Sequence, residues 1–87
     1  MKEFIYVMQD PEGNHARPAG KVVAIAKNYQ SKASLWIGDQ SYDLKKLLSF
    51  MSAPIKKGDE VVIRVEGDDE DIAADTLKKE FEEAFKG

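Results

Sequence analysis

The hydrophobic residues of this chain recur with two different periods, and the order of those periods limits the folds that it can adopt. An apolar run at 4–8, which should be mostly buried, and alternating runs at 33–37 and 61–65 predict β-strands. Apolar residues spaced three and four apart follow each of these regions and predict helices. A turn at 38–39 leads into a short strand at 40–43, which completes a hairpin.

The predicted order is strand, helix, strand, strand, helix, strand, helix. This βαββαβα order predicts an α+β fold, an open-faced two-layer sandwich in which a four-stranded antiparallel sheet carries three helices on one face. A chain of 87 residues fits a single domain, residues 1–87, with a core too thin to enclose a substrate cavity. Any chemistry should therefore take place at the surface.

Composition excludes several classes of function. The chain has no cysteine, so it has neither disulfides nor a thiol nucleophile, and its one histidine leaves only carboxylates as further zinc ligands. We therefore expect no metal and no cofactor. A net charge of -3 argues against nucleic acid as a partner. The apolar run at the start is too short for a signal peptide or a membrane span, so we expect a cytoplasmic protein without membrane insertion.

The one histidine lies in the stretch GNHARPAG, where a loop is expected to become a helix that ends near residues 28–29. If this helix begins at Ala16, His15 is its N-cap, and the N–H groups of Ala16 and Arg17 have no acceptor within the helix. Free N–H groups at the positive end of a helix dipole bind anions, and the Arg17 guanidinium can add a second anchor. Pro18 is tolerated there because a first-turn N–H makes no helical hydrogen bond.

These residues place a nucleophile beside a possible phosphate site. Imidazole is a competent nucleophile near neutral pH, and phosphoryl transfer requires mainly positioning and charge stabilisation. The residues also allow a second interpretation, in which His15 is an incidental cap and Arg17 a solvated side chain. By themselves they predict an anion site and leave catalysis open.

The stretch GNHARPAG resembles the active-site signature of the histidine-containing phosphocarrier family, HPr, of the bacterial phosphotransferase system. The chain length, the position of His15, the later stretch KKGDEVVIRVEGDDED and the order of elements also resemble that family. The resemblance implies four antiparallel strands under three helices. It also implies that His15 accepts a phosphoryl group from enzyme I and donates it to the enzyme IIA domain of a sugar permease, with Arg17 stabilising the transferred charge. Such a protein is a carrier rather than a stand-alone enzyme.

Several positions depart from the family pattern. Asn14 replaces a hydrophobic residue and should alter how the loop packs, and Glu12 adds a negative charge near the histidine. Either residue could slow the transfer. Lys46 stands where many relatives carry a regulatory serine that a kinase phosphorylates, so we expect no regulatory serine here. Ser49 and Ser52 lie on the same predicted helix but do not match that position.

The second helix offers a surface for docking partners. Its apolar residues are spaced to form one face, with Phe50 pointing elsewhere, and they are Leu44, Leu47, Leu48 and Met51. A core this small should not bury all of them, so part of the face should stay exposed. The resemblance matches the family's docking patch to Gly20, Leu47, Leu48 and Met51.

Positive charges should surround this apolar face and favour acidic partner surfaces, and they belong to Arg17, Lys27, Lys45 and Lys46. Two classes of function remain open, a phosphocarrier and a regulatory or scaffold relative that binds partners without relaying phosphate. The intact run from His15 to Pro18 favours the carrier. Within that class, Lys46 and Asn14 allow a specialised branch, for example a nitrogen-related one.

Overall fold

The sheet and the helices form two layers in the computed structural model, which describes residues 1–86. The strands are β1 (Lys2–Val7), β2 (Lys32–Ile37), β3 (Gln40–Asp43) and β4 (Glu60–Glu66). The helices are α1 (Ala16–Ala26), α2 (Leu47–Met51) and α3 (Glu70–Ala84). The strand order in the sheet is β1-β4-β2-β3, and all neighbouring strands are antiparallel. The predicted order of elements and the open-faced α+β sandwich are confirmed.

Alternation along the central strand places the core between the sheet and the helices. Val61, Ile63 and Val65 of β4 are buried, and Ile63 lies opposite Phe4 of β1 and Leu35 of β2. The helices cover this face with the apolar stripes that their spacing predicts. The buried stripe residues are Ala19, Val22, Val23 and Ala26 of α1 and Ala73, Ala74, Leu77 and Phe81 of α3.

The other face of the sheet is uncovered, which corrects one expectation for β1. This strand was expected to be mostly buried, but Ile5 is 61% exposed while its neighbour Tyr6 is buried. The reason is that the helices pack on one side of the sheet only, so alternate residues of β1 face solvent. No helix in residues 1–86 has the length and apolar character needed to cross a membrane.

The second helix differs from its prediction. It begins at Leu47, so Leu44 lies before the helix, although its side chain is fully buried. The turn that delays the helix is held by Asp43, whose Oδ1 accepts the Lys45 N–H at 2.8 Å. Phe50 points away from Leu47 and Leu48, as the spacing predicts, and its side chain is completely buried.

Phe50 joins an aromatic cluster in the core. Its ring lies 5.9 Å from that of Phe81 and 6.2 Å from that of Phe85, measured between centroids. Burying an aromatic side chain of this size contributes about 1.5–3 kcal/mol relative to leaving it exposed. This gain favours placing Phe50 in the core, although α2 has only five residues. The first helix also ends slightly early, at Ala26 with Lys27 as its C-cap, rather than near residues 28–29.

Candidate functional site

The histidine lies at the start of α1, as its position in the sequence predicts. His15 is the N-cap with extended backbone angles, φ -125° and ψ 166°, and its carbonyl accepts the Ala19 N–H at 3.1 Å. The His15 side chain makes no capping hydrogen bond, so the N–H groups of Ala16 and Arg17 face outward from the helix N-terminus. Pro18 is buried and brings no N–H of its own. The arrangement can hold an anion next to the imidazole.

The loop before the helix is fixed by Asp10 and Gly13. The Asp10 carbonyl accepts the Gly13 N–H at 2.8 Å, and its Oδ1 accepts the Glu12 N–H at 2.9 Å. Gly13 has φ 67°, and a Cβ at that position would collide with the carbonyl oxygen of Ile55. The Asn14 N–H donates to that same oxygen at 3.1 Å. The loop is therefore pressed against the segment before β4, and glycine is needed there.

Asp10 also contacts the imidazole, a contact that sequence reasoning missed. Its Oδ2 lies 2.8 Å from His15 Nε2, and the two side chains are 11% and 31% exposed. The hydrogen bond from His15, followed by that from the Glu12 N–H, lowers the pKa of the Asp10 carboxyl below its ordinary value. In the sequence, the distance of five residues between Asp10 and the histidine carries no recognised signal.

Glu12 lies farther from the ring. Its Oε2 is 3.9 Å from His15 Nε2, and the side chain is 76% exposed. Three possible metal ligands meet here. Asp10, Glu12 and His15 each offer one ligand atom, and these three atoms lie within 4.8 Å of one another, a spacing that could hold a divalent metal ion. The sequence led us to expect no metal, and in the structure Nε2 is already engaged by the Asp10 carboxylate.

Asn14 changes how the loop packs by making hydrogen bonds in place of apolar contacts. Its Nδ2 donates to the carbonyl of Phe50 at 2.7 Å and to that of Ala53 at 3.3 Å. These carbonyls lie where α2 ends, and the Phe50 carbonyl also accepts the Ala53 N–H at 3.1 Å. Asn14 thus ties the loop that carries the histidine to the second helix. Its Oδ1 is buried and has no hydrogen-bond partner among residues 1–86.

The apolar residues proposed for docking lie partly in solvent. Leu48 is 86% exposed and Leu47 is 40% exposed, whereas Met51 and Gly20 are half-buried. Leu44 is fully buried and contributes nothing to the surface. The expectation that part of this face stays exposed is confirmed, but the exposed part is α2 itself and not the residue before it.

The four positive charges do not form one rim. Arg17 is exposed in the first turn of α1, while Lys27 lies at the other end, about 15 Å away at 1.5 Å per residue. Lys45 donates from Nζ to the Tyr29 carbonyl at 2.7 Å, which holds its charge just beyond the C-terminal end of α1. Lys46 is exposed and is the N-cap of α2, next to Leu47.

Comparisons with known proteins agree with this geometry. Residues 2–83 match the profile of the PTS-HPr family, described as the PTS HPr component phosphorylation site. A phosphocarrier protein HPr of Lysinibacillus sphaericus is 36% identical over 88% of each chain, and one of Mycoplasma pneumoniae is 33% identical over 94% of each. The solved structure of a Mycoplasma histidine-containing phosphocarrier protein superposes with a TM-score of 0.90 at 28% identity over 97% of both chains. The chain therefore belongs to the HPr phosphocarrier family of the phosphotransferase system.

Proposed function

We propose that this chain is a single-domain, cytoplasmic phosphoryl carrier that accepts a phosphoryl group on His15 from enzyme I and passes it to the enzyme IIA domain of a sugar permease. The observation that carries the proposal is the position of the imidazole at the uncapped N-terminus of α1. Family membership supports partners within the phosphotransferase system in general. The direction and identity of each transfer are the proposed part.

The helix end supplies what a transferred phosphoryl group requires. The N–H groups of Ala16 and Arg17 can donate to its oxygens, and the positive end of the α1 dipole favours their charge. The exposed Arg17 guanidinium can reach the same oxygens and offset the charge that spreads over them in the transition state. In this proposal His15 and Arg17 are the catalytic residues, and Pro18 starts the helix without adding an N–H.

Partner proteins dock on the exposed face of α2 and the adjoining start of α1. Leu47 and Leu48 supply apolar surface that is exposed to solvent in the free chain. Met51 and Gly20 extend this surface. Lys46 adds an exposed positive charge at the beginning of α2 and favours acidic partners. Lys45 and Lys27 contribute charge at the far end of α1, outside the immediate contact.

A serine kinase cannot switch this carrier off at position 46, because Lys46 has no hydroxyl group to phosphorylate. The two nearby serines are already engaged, since the Ser49 hydroxyl accepts the Asp43 N–H at 2.8 Å and the Ser52 hydroxyl donates to the Ser49 carbonyl at 2.6 Å. A specialised branch of the phosphotransferase system would fit such a carrier.

The test is to incubate the purified chain with enzyme I and phosphoenolpyruvate and to look for an acid-labile mass increase of one phosphoryl group. We expect the natural chain and Lys21→Ala to gain it, and His15→Ala to gain none, because no other imidazole is present. Labelling of a folded His15→Ala variant would show that the group is carried elsewhere.

A further inference from the structure

We infer that Asp10 is the positioning residue of His15, because its carboxylate keeps the imidazole proton on Nε2 and leaves Nδ1 unprotonated for phosphoryl transfer. This inference rests on the proposed function and adds a residue that acts through the histidine. It starts from the 2.8 Å distance between Asp10 Oδ2 and His15 Nε2.

The hydrogen bond fixes the tautomer. An ionised carboxylate can only accept hydrogen bonds, so Nε2 must be the donor in this pair. A neutral imidazole has one N–H, and with that proton on Nε2 the other nitrogen, Nδ1, is left unprotonated. Only an unprotonated ring nitrogen can attack phosphorus.

The Asp10 carboxylate is held in place by hydrogen bonds within its own loop. Its other oxygen accepts the Glu12 N–H at 2.9 Å, its own carbonyl accepts the Gly13 N–H at 2.8 Å, and the residue is only 8% exposed. The buried ring of Phe85 meets the imidazole edge-on, with centroids 6.5 Å apart. Asp10 and Phe85 therefore contact the imidazole in the orientation that points Nε2 at the carboxylate.

The transfer needs no proton movement in this arrangement. As Nδ1 forms its bond to phosphorus, the bond between phosphorus and the donor breaks and its electron pair leaves with the donor. The ring keeps the Nε2 proton and becomes positively charged, and Asp10 offsets that charge at 2.8 Å. When the phosphoryl group moves on, the electron pair of the Nδ1–P bond returns to Nδ1 and the ring is neutral again.

Glu12 provides the matched control. It carries the same charge in the same loop, but its carboxylate is 3.9 Å from Nε2 and its side chain is 76% exposed. At that distance it forms no hydrogen bond, and solvent screens its charge. Glu12→Gln and Asp10→Asn each remove one negative charge. Only in Asp10→Asn, with the amide oxygen on the Glu12 N–H, does a donor NH2 group replace the acceptor that faces Nε2.

The experiment measures the ¹⁵N chemical shifts of the two imidazole nitrogens across a pH series, together with the rate of phosphorylation by enzyme I. The chain has one histidine, so the signals need no assignment. We expect the Nε2-protonated tautomer in the natural chain and in Glu12→Gln. In Asp10→Asn we expect a substantial Nδ1-protonated population and phosphorylation about 10-fold to 100-fold slower.

Three results would overturn the inference: a natural chain with its proton mainly on Nδ1, an Asp10→Asn variant with unchanged tautomer, or one with unchanged rate. The first needs no variant, so it decides even if Asp10→Asn does not fold. A natural chain that has the expected tautomer but accepts no phosphate would contradict the proposed function while leaving the contact between Asp10 and the ring intact.

Discussion

Asp10 and Asp69 both hold loop N–H groups, but they use their second carboxylate oxygen differently. In the histidine loop, residues 10–15, Asp10 binds one N–H through Oδ1 and directs Oδ2 to the His15 ring. In the Asp69 clasp, formed by Gln30, Ser31, Gly67 and Asp69, Oδ2 accepts the Gln30 N–H and Oδ1 accepts the Ser31 N–H, each at 2.9 Å. The Ser31 hydroxyl also donates to Oδ1.

The pKa of each aspartate is lowered, and the causes differ. Asp69 is ionised more easily because the Ser31 hydroxyl and then the Gln30 N–H donate to its carboxylate, which joins the segment after α1 to the start of α3. Asp10 is ionised more easily chiefly because a reactive ring donates to it. In the Asp69 clasp, both carboxylate oxygens accept hydrogen bonds that hold the fold together. In the histidine loop, one carboxylate oxygen of Asp10 holds the loop and the other contacts the reactive ring. Changes in the clasp should therefore alter stability, and changes near the histidine should alter transfer.

The largest effect is expected for Gly67→Ala in the clasp. Gly67 has φ 155°, and an added Cβ would lie 2.7 Å from the Ser31 Cα, so backbone strain and overlap together should lower the free energy of unfolding by about 3–5 kcal/mol. Gly38→Ala is the control, because its φ is 58° but the space around it is open, which predicts about 1–2 kcal/mol. Denaturant unfolding measures both.

The phosphorylation rate per folded molecule should be unchanged in both glycine variants. Equal destabilisation by the two would show that the close approach of Gly67 and Ser31 does not matter. A slower transfer in Gly67→Ala under conditions where it is folded would show that the clasp acts on the site.

Arg17→Ala should do the opposite of Gly67→Ala. Its side chain is exposed and gains most when a phosphoryl group is present, so transfer should slow by about 10-fold to 100-fold while the unfolding midpoint barely changes. Lys21→Ala removes an exposed positive charge one helical turn later and is the control for net charge. Equal transfer rates in Arg17→Ala and the natural chain would remove Arg17 from the mechanism.

Acid should expose the role of Asp69. Its pKa is lower in the folded chain than its ordinary value of about 4, so the stability that it contributes is present above that value and is lost as the pH falls through the folded pKa. Asp69→Asn should therefore be less stable at neutral pH and lose less stability on acidification. Thermal midpoints between neutral and strongly acidic pH measure this, with Asp68→Asn as the control. Parallel pH profiles for Asp69→Asn and the natural chain would contradict the assignment.

The smallest effect is expected for Lys46→Ser on the docking face. Removing one exposed charge should slow association with enzyme I by less than about fivefold at low salt, and the difference should shrink as salt is added. Lys79→Ser removes another exposed lysine, from α3, and is the control. Identical association rates of Lys46→Ser and the natural chain across the salt series would exclude an electrostatic role for Lys46. Kinase labelling of the natural chain on Ser49 or Ser52 would contradict the proposal that a serine kinase does not regulate it.

The sequence predicts best those elements whose own residues determine them. The alternation of Val61, Ile63 and Val65 predicts the central strand, and the stretch around His15 predicts where α1 begins. Periodicity failed for the start of α2, because Leu44 shares the apolar spacing but lies before a helix of only five residues.

The contact between Asp10 and His15 could not be read from the sequence for a different reason. It depends on the loop conformation, which Gly13 allows by lying against the carbonyl of Ile55, far along the chain. The Asp69 clasp likewise joins residues on different elements, since Gln30 and Ser31 follow α1 and Asp69 precedes α3. Local patterns do not specify such distant hydrogen-bond partners.

The central claim, that this chain relays a phosphoryl group through His15, is tested most directly by following both transfers in one experiment. The chain is phosphorylated with enzyme I and phosphoenolpyruvate, separated from both, and mixed with an enzyme IIA domain while the mass of each protein is followed. We predict that the chain loses one phosphoryl group as the IIA domain gains one, faster than the group is lost to water. A phosphorylated chain that loses the group only to water, at the same rate with and without the IIA domain, would contradict the relay.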